Sequence, residues 1–186
     1  SINAVTGDNA FFWDNTNKRL GIGTTTPDAA LDVIGRIGLN DGNFNVIVGD
    51  GAGDALTTGS KNVAVGFNAL TSEDAHGFNT AIGYDSLKSL NAGADAYNTA
   101  VGSRTGYLLS TGQYNTLIGG SAGDALTVAD KNVAVGYGAL SAETKGSNSV
   151  AIGHAALLNQ NNTSAIDVYN TAVGHNSGFS ITTGTN

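Results

Sequence analysis

Gly119-Gly120-Ser121-Ala122-Gly123 fits G-x-S-x-G, the pattern that raises a nucleophilic serine on a strained strand-to-helix elbow. Two residues after other recurring glycines the chain carries Gly51, Asn68, Asp85, Arg104, Gly138, Ala155 and Asn176. Ser121 is therefore one member of a variable column, and no helical pattern follows it. Gly49-Asp50-Gly51-Ala52-Gly53-Asp54 has the composition of a calcium loop, but its counterpart Gly119–Asp124 lacks the first carboxylate, and a hard cation takes ~6 oxygens. Glycoside hydrolysis needs two carboxyl groups ~5–9.5 Å apart. Glu73 and Glu143 fall at equivalent positions of a repeat, as do Asp54 and Asp124. At the ~4.8 Å strand spacing, four repeats separate them by roughly 19 Å. No catalytic residue is expected.

The residue after each recurring glycine forms another column: Asp50, Phe67, Tyr84, Ser103, Gly120, Tyr137, His154 and His175. Phe67 and Tyr84, and then Tyr137, His154 and His175, make a candidate ring ladder that can pack between chains or against sugar faces. Were the column to face a three-fold axis, His154 and His175 would converge with their symmetry copies, a donor set that suits a transition metal. Otherwise no metal and no cofactor is expected.

These columns exist because the chain repeats. A pentad recurs as NVIVG, NVAVG, NTAIG, NTAVG, NTLIG, NVAVG, SVAIG and NTAVG. It closes at Gly49, Gly66, Gly83, Gly102, Gly119, Gly136, Gly153 and Gly174, at intervals of 17, 17, 19, 17, 17, 17 and 21 residues. A longer period of 70 lies above it, since GDALTTGSKNVAVGFNALTSE at 53–73 matches GDALTVADKNVAVGYGALSAE at 123–143. Val, Ile and Thr suit a pleated strand, and five residues are too few for a helix. Alternation is expected to turn the second and fourth pentad positions inward and the small third position outward. The third column (Ala64, Ala81, Ala100, Leu117, Ala134, Ala151, Ala172) then becomes an apolar stripe on the outside.

After each glycine comes a second anchor: Leu70, Leu87, Leu140 or Leu157, or else a glycine (Gly53, Gly106, Gly123, Gly178) with the anchor moved on to Leu56, Leu109, Leu126 or Ile181. A period so built has a strand, a glycine corner, a second short strand and a polar return, and cannot bury its apolar face alone. Stacked periods can. The expectation is an all-β parallel solenoid of about eight coils, ~38 Å tall at the usual strand spacing. Asn45, Asn62, Asn79, Asn98, Asn115, Asn132 and Asn170 are expected to stack as a structural ladder.

Residues 1–40 do not follow the period and are read as an N-terminal connector or cap, with 41–186 as the repeat domain. A short strand, a turn at Thr24–Pro27 and a strand around Leu31–Ile37 are expected there. Composition narrows the rest. The 186 residues include 27 Gly, no Cys and no Met, with a net charge of −7. Lack of cysteine excludes disulfide scaffolds and thiolate sites. The acidic balance, with only Lys88 and Arg104 between Lys61 and Lys131, offers no basic track for nucleic acid. No apolar run is long enough for membrane insertion as a helix. A chain starting at Ser1 without Met, and stopping where a ninth coil would begin, is expected to be a length of a longer protein.

The NTAVG and SVAIGHAAL strings resemble the head repeats of trimeric autotransporter adhesins of the YadA type, and WDNTNKRLGIGTTTPDAALDV resembles a connector found in phage tail fibres. The resemblance implies a left-handed parallel β-roll assembled as a three-fold homotrimer. It implies a virion tail fibre that meets a bacterial surface glycan or outer-membrane receptor, or alternatively an adhesin head on the bacterial cell surface. The period of 17 is longer than the adhesin coil. An ice- or surface-binding solenoid is a further alternative, because Thr80, Thr99 and Thr116 line up on successive coils.

Overall fold

The structure, a computed structural model, describes residues 12–22, 25–29, 31–33 and 43–184. Thr24, the stretch after Val33 in the expected strand, and the two C-terminal residues lie outside them. The chain forms two compact units, Ser1–Leu39 and Asn40–Asn186.

In the first unit β1 (Phe12–Asp14) pairs antiparallel with β2 (Arg19–Ile22), and β2 pairs parallel with β3 (Leu31–Val33). Asp14 closes the hairpin: its Oδ1 accepts the Thr16 and Asn17 N–H groups and its Oδ2 accepts the Asn17 amide. Those bonds hold the Asp14 carboxyl below its ordinary range, the Asn17 side chain contributing most.

The second unit is a parallel β-solenoid of eight coils. Its strands are β4 (Val46–Val48), β5 (Val63–Val65), β6 (Thr80–Ile82), β7 (Thr99–Val101), β8 (Thr116–Ile118), β9 (Val133–Val135), β11 (Val150–Ile152) and β13 (Thr171–Val173). They stack in one eight-stranded sheet in chain order, each pentad position directly over its counterpart. A two-stranded pair, β10 (Gly146–Ser147) with β12 (Ile166–Asp167), ties the longest return loop to the coil below. No helix occurs among the described residues.

Two expectations about the coil are corrected. The second short strand does not form. The segment after each glycine folds as a turn, in which Leu56 N–H donates to Gly53 O, Leu109 to Gly106 O and Leu126 to Gly123 O. These turns stack as well: Leu70 N–H donates to Ser86 O, Leu87 to Thr105 O and Gly106 to Ala122 O in the next coil, at 3.0 Å each.

The inside and outside of the sheet are also the reverse of the expectation. Ala64, Ala81, Ala100, Leu117, Ala134 and Ala151 are fully buried, while the second and fourth positions face outward. The reason is volume. The interior must hold the anchor leucines Leu70, Leu87, Leu109, Leu126, Leu140 and Leu157, all fully buried, and the opposite sheet face has room only for a methyl. The one buried pentad Leu makes the same point. Leu117 lies between Gly106 and Gly123, and a Cβ at either would come within 3.0 Å of its methyl groups. At Gly53, Gly106 and Gly123, where the anchor column lacks a side chain, the sheet supplies one, whereas Gly178 faces Ala172. Ile47 fills the same space over Gly53.

The closing glycines have φ between +123° and +138°. A Cβ on Gly66 would meet the Gly83 carbonyl oxygen at 2.5 Å, so the stacking of corners excludes every other residue. Each coil has three further left-handed positions: the residue before the Asn column, and the second and fourth residues after the glycine. In the second coil these are Lys61, Asn68 and Leu70, with φ of 60°, 52° and 53°.

Candidate functional site

The outward sheet face runs along all eight coils of the solenoid. Its fourth-position column runs Val48, Val65, Ile82, Val101, Ile118, Val135, Ile152 and Val173. Ile82, Ile118 and Ile152 are 37%, 39% and 37% exposed, and the others are half-buried or exposed. The second-position column, including Thr80, Thr99 and Thr116, lies beside it on the same face. These threonines share a face with Ile82, Val101 and Ile118 as the alternation requires, but that face is outward.

Ring columns flank the strands on both sides. After the glycine, Phe67 stacks on Tyr84 with centroids 5.6 Å apart, Tyr137 on His154 at 5.6 Å, and His154 on His175 at 5.0 Å. Ser103 and Gly120 interrupt this column, and Tyr137 leans over Gly120. Before the Asn column stands a second ladder that the sequence reading missed. Phe78 stacks on Tyr97 at 4.7 Å and Tyr97 on Tyr114 at 5.5 Å, with the Lys61 ammonium 4.5 Å above Phe78. The signal was present as Phe44, Lys61, Phe78, Tyr97, Tyr114, Lys131, Asn148 and Tyr169, one residue ahead of each pentad.

Stacking decides what the rings can do. Planes tilted by only 4° to 22° turn ring faces toward each other and ring edges toward solvent. Rings inside a stack are thus closed to sugar faces. His154 and His175 likewise lie as parallel plates, so their in-plane lone pairs run side by side and do not meet at one point.

Behind the sheet edge the asparagines form a continuous relay. Each Oδ1 accepts the backbone N–H of the next column member: Asn45 from Asn62, Asn62 from Asn79, Asn79 from Asn98, Asn98 from Asn115 and Asn115 from Asn132, at 2.8–3.1 Å. Their amides donate to return-loop carbonyls such as Gly59 O and Gly112 O. At the seventh coil Ser149 replaces Asn and still donates its N–H to Asn132 Oδ1, but cannot pass the relay on. Gln160 repairs the gap. It donates to Ser149 Oγ and accepts from the Asn170 amide at 2.8 Å.

Gln160 also donates to Glu143, which with Glu73 is the most buried acid of the solenoid. Glu143 Oε1 accepts N–H groups from Thr144, Lys145, Gly146 and Asn162, and Oε2 accepts from the Gln160 and Asn162 side chains. Burial pushes its carboxyl upward, but these bonds outweigh it and hold the group below the ordinary carboxylate range. The acid thereby ties the inserted loop of the seventh coil to the sixth. Glu73 holds the inserted loop of the third coil in the same way, through Ala92 N–H at 3.1 Å.

The catalytic motifs gain no support from their surroundings. Ser121 is a left-handed turn residue, φ 53°, whose N–H donates to Ser103 O, and no helix follows it. Asp124 accepts the Ser141 hydroxyl at 2.6 Å. A hollow of about 320 Å³ lies beside the 159–169 loop, lined by Val128, Asp130, Ser147, Ala165, Ile166 and Asp167. Asp130 accepts the Gln113 N–H, and Asp167 accepts the Asn148 amide and the Tyr169 hydroxyl. Comparison of the chain with known protein families, curated proteins and solved structures finds no match.

Proposed function

We propose that this chain is a stiff, non-enzymatic segment of a homotrimeric surface fibre, a bacteriophage tail fibre that stands against the bacterial envelope. One observation carries the reading: a Val/Ile/Thr face runs unbroken along all eight coils and a single chain leaves it in water. Monomers seldom expose apolar patches of more than a few hundred Å². Three-fold closure buries such a face without leaving an open edge. Covering each half-exposed Val or Ile contributes roughly 1 kcal/mol, repeated in every coil. The edge-on ring columns beside the strands suit the rims of the same interface. Contact with a bacterial glycan or outer-membrane receptor is assigned to the return loops, where insertion is tolerated. A bacterial adhesin head would use the same trimer and differ in being anchored to a cell.

Sedimentation equilibrium tests the assembly. A mass of three chains is expected at micromolar concentration. Glu at Ile82, Ile118 and Ile152 together should give monomers with an unchanged far-UV spectrum. A wild-type chain that stays monomeric overturns the proposal. Binding of intact trimers to envelope polysaccharides on a glycan array tests the attachment role, and silence there leaves a spacer.

The outward position of Thr80, Thr99 and Thr116 favours a second reading, a surface that orders water as an ice-binding solenoid does. Thermal hysteresis measured on the unaltered chain tests it; a value near zero removes it.

A further inference from the structure

The two sets of coils hold equivalent buried glutamates in unlike surroundings. Glu143 accepts six N–H bonds. Glu73 is as deeply buried yet accepts two, from His76 N–H and Ala92 N–H, both at 3.1 Å. The donors lost between the sets are identifiable. Leu90 stands where Gln160 does and Ala92 where Asn162 does, so both side-chain donors are gone, while His76 and Ala92 keep the N–H bonds that Gly146 and Asn162 make. A buried carboxylate short of donors is costly unless a positive charge faces it.

Beside this donor-poor carboxylate stand two ligand-type residues that the second set lacks, Asp74 where Thr144 is and His76 where Gly146 is. Glu73, Asp74 and His76 each bring a ligand atom to a spot where all three lie within 4.8 Å of one another. His76 Nδ1 is shielded from solvent and is the buried side-chain polar atom among the described residues that has no hydrogen-bond partner. It lies 3.4 Å from Glu73 Oε1. That separation matches the edge of a tetrahedron with ~2.05 Å bonds, about 3.3 Å. The backbone beneath is fixed by neighbouring coils: Asp74 O accepts Thr57 N–H at 2.8 Å, and His76 O accepts the Asn62 amide. Asp74 is half-buried, Ala75 is exposed and the His76 side chain is 29% exposed, so the fourth position opens to water.

We propose that Glu73, Asp74 and His76 form a mononuclear site for a divalent transition cation, with Zn²⁺ as the probe ion. Imidazole with two carboxylates suits Zn²⁺ or Co²⁺ better than the all-oxygen cations Ca²⁺ and Mg²⁺. The cation replaces for Glu73 the donors that Glu143 receives from protein. Because Thr144 and Gly146 occupy the equivalent positions, the second set does not repeat the site.

Calorimetric titration of the intact, chelator-treated chain with zinc chloride tests the proposal. One saturable equivalent per chain is expected. His76→Ala and Asp74→Asn should each weaken binding at least tenfold, while the far-UV spectrum confirms that both variants fold. His154→Ala with His175→Ala should leave it unchanged. The proposal is overturned if the folded chain shows no saturable Zn²⁺ binding. It is equally overturned if binding survives His76→Ala, or disappears with the His154 and His175 pair.

Discussion

Glu143 gathers four N–H groups on one oxygen and two side-chain donors on the other, so each neighbour is placed for an ionised acid. Glu143→Gln keeps the shape but turns an acceptor into a donor facing donors, and should cost about 3 kcal/mol in chemical denaturation. The folded carboxyl titrates below its unfolded value of 4.5. Its stabilisation is therefore fully present above that value and is lost as pH falls through the lower, folded one. Circular dichroism between pH 2 and 6 should show wild-type stability dropping in this window, and a flatter acid response in Glu143→Gln. An unaltered profile in the variant would show that another acid controls it. Neither burial was legible in the sequence. The 70-residue period marked Glu73 and Glu143 as equivalent, but spacing alone says nothing about which loop atoms fold over a side chain.

At the scale of the strand and turn, Leu117 and its facing glycines are one packing unit. Leu117→Ala leaves a hole opposite Gly106 and Gly123 and should cost about 2–5 kcal/mol. Gly123→Leu alone overpacks against both Leu126 and Leu117 and should also destabilise. The double variant removes the clash with Leu117 but leaves that with Leu126, 2.7 Å from a Cβ at the same position, and so moves only part of the way to the Ala-with-Leu pairing of the second coil, where Ala64 and Leu70 are both fully buried. A double-mutant cycle should therefore show strong positive coupling, and additive losses would mean the two positions do not share space. This pairing explains what the sequence revealed and concealed. The pentad spacing fixed the strands, their register and the number of coils. Alternation fixed which residues share a face but not which face is inside, because Val and Ile look like core and Ala looks like filler. The answer depends on how thin the coil is, a property of the stack. The turn that replaced the second strand was hidden for a related reason. Leu70, Leu87, Leu140 and Leu157 adopt a left-handed backbone that leucine seldom takes, and only the glycines sharing their column hinted at it.

At the scale of the whole solenoid, each coil touches only its neighbours, so stability is close to a sum of coil and interface contributions. Removing residues 54–123 deletes one full set of four coils and joins Gly53 to Asp124 in the sequence context Gly53 already has before Asp54. The shortened chain should fold, with a lower midpoint in denaturant and the same sheet signature by circular dichroism. Loss of that signature would show that the two sets cooperate beyond nearest neighbours. The left-handed columns add a dimension of time. Every coil holds three such positions besides its closing glycine, most of them filled by residues other than glycine, each uphill by roughly 1–2 kcal/mol. A first coil forms before any partner can offset that strain, so folding begins with a rare nucleus of several coils and then runs quickly along the rod. The reverse route is equally narrow, since a coil in the middle cannot let go until those beyond it have. A rod made this way is slow to start and slow to come apart, and its endurance is set by rates at its ends.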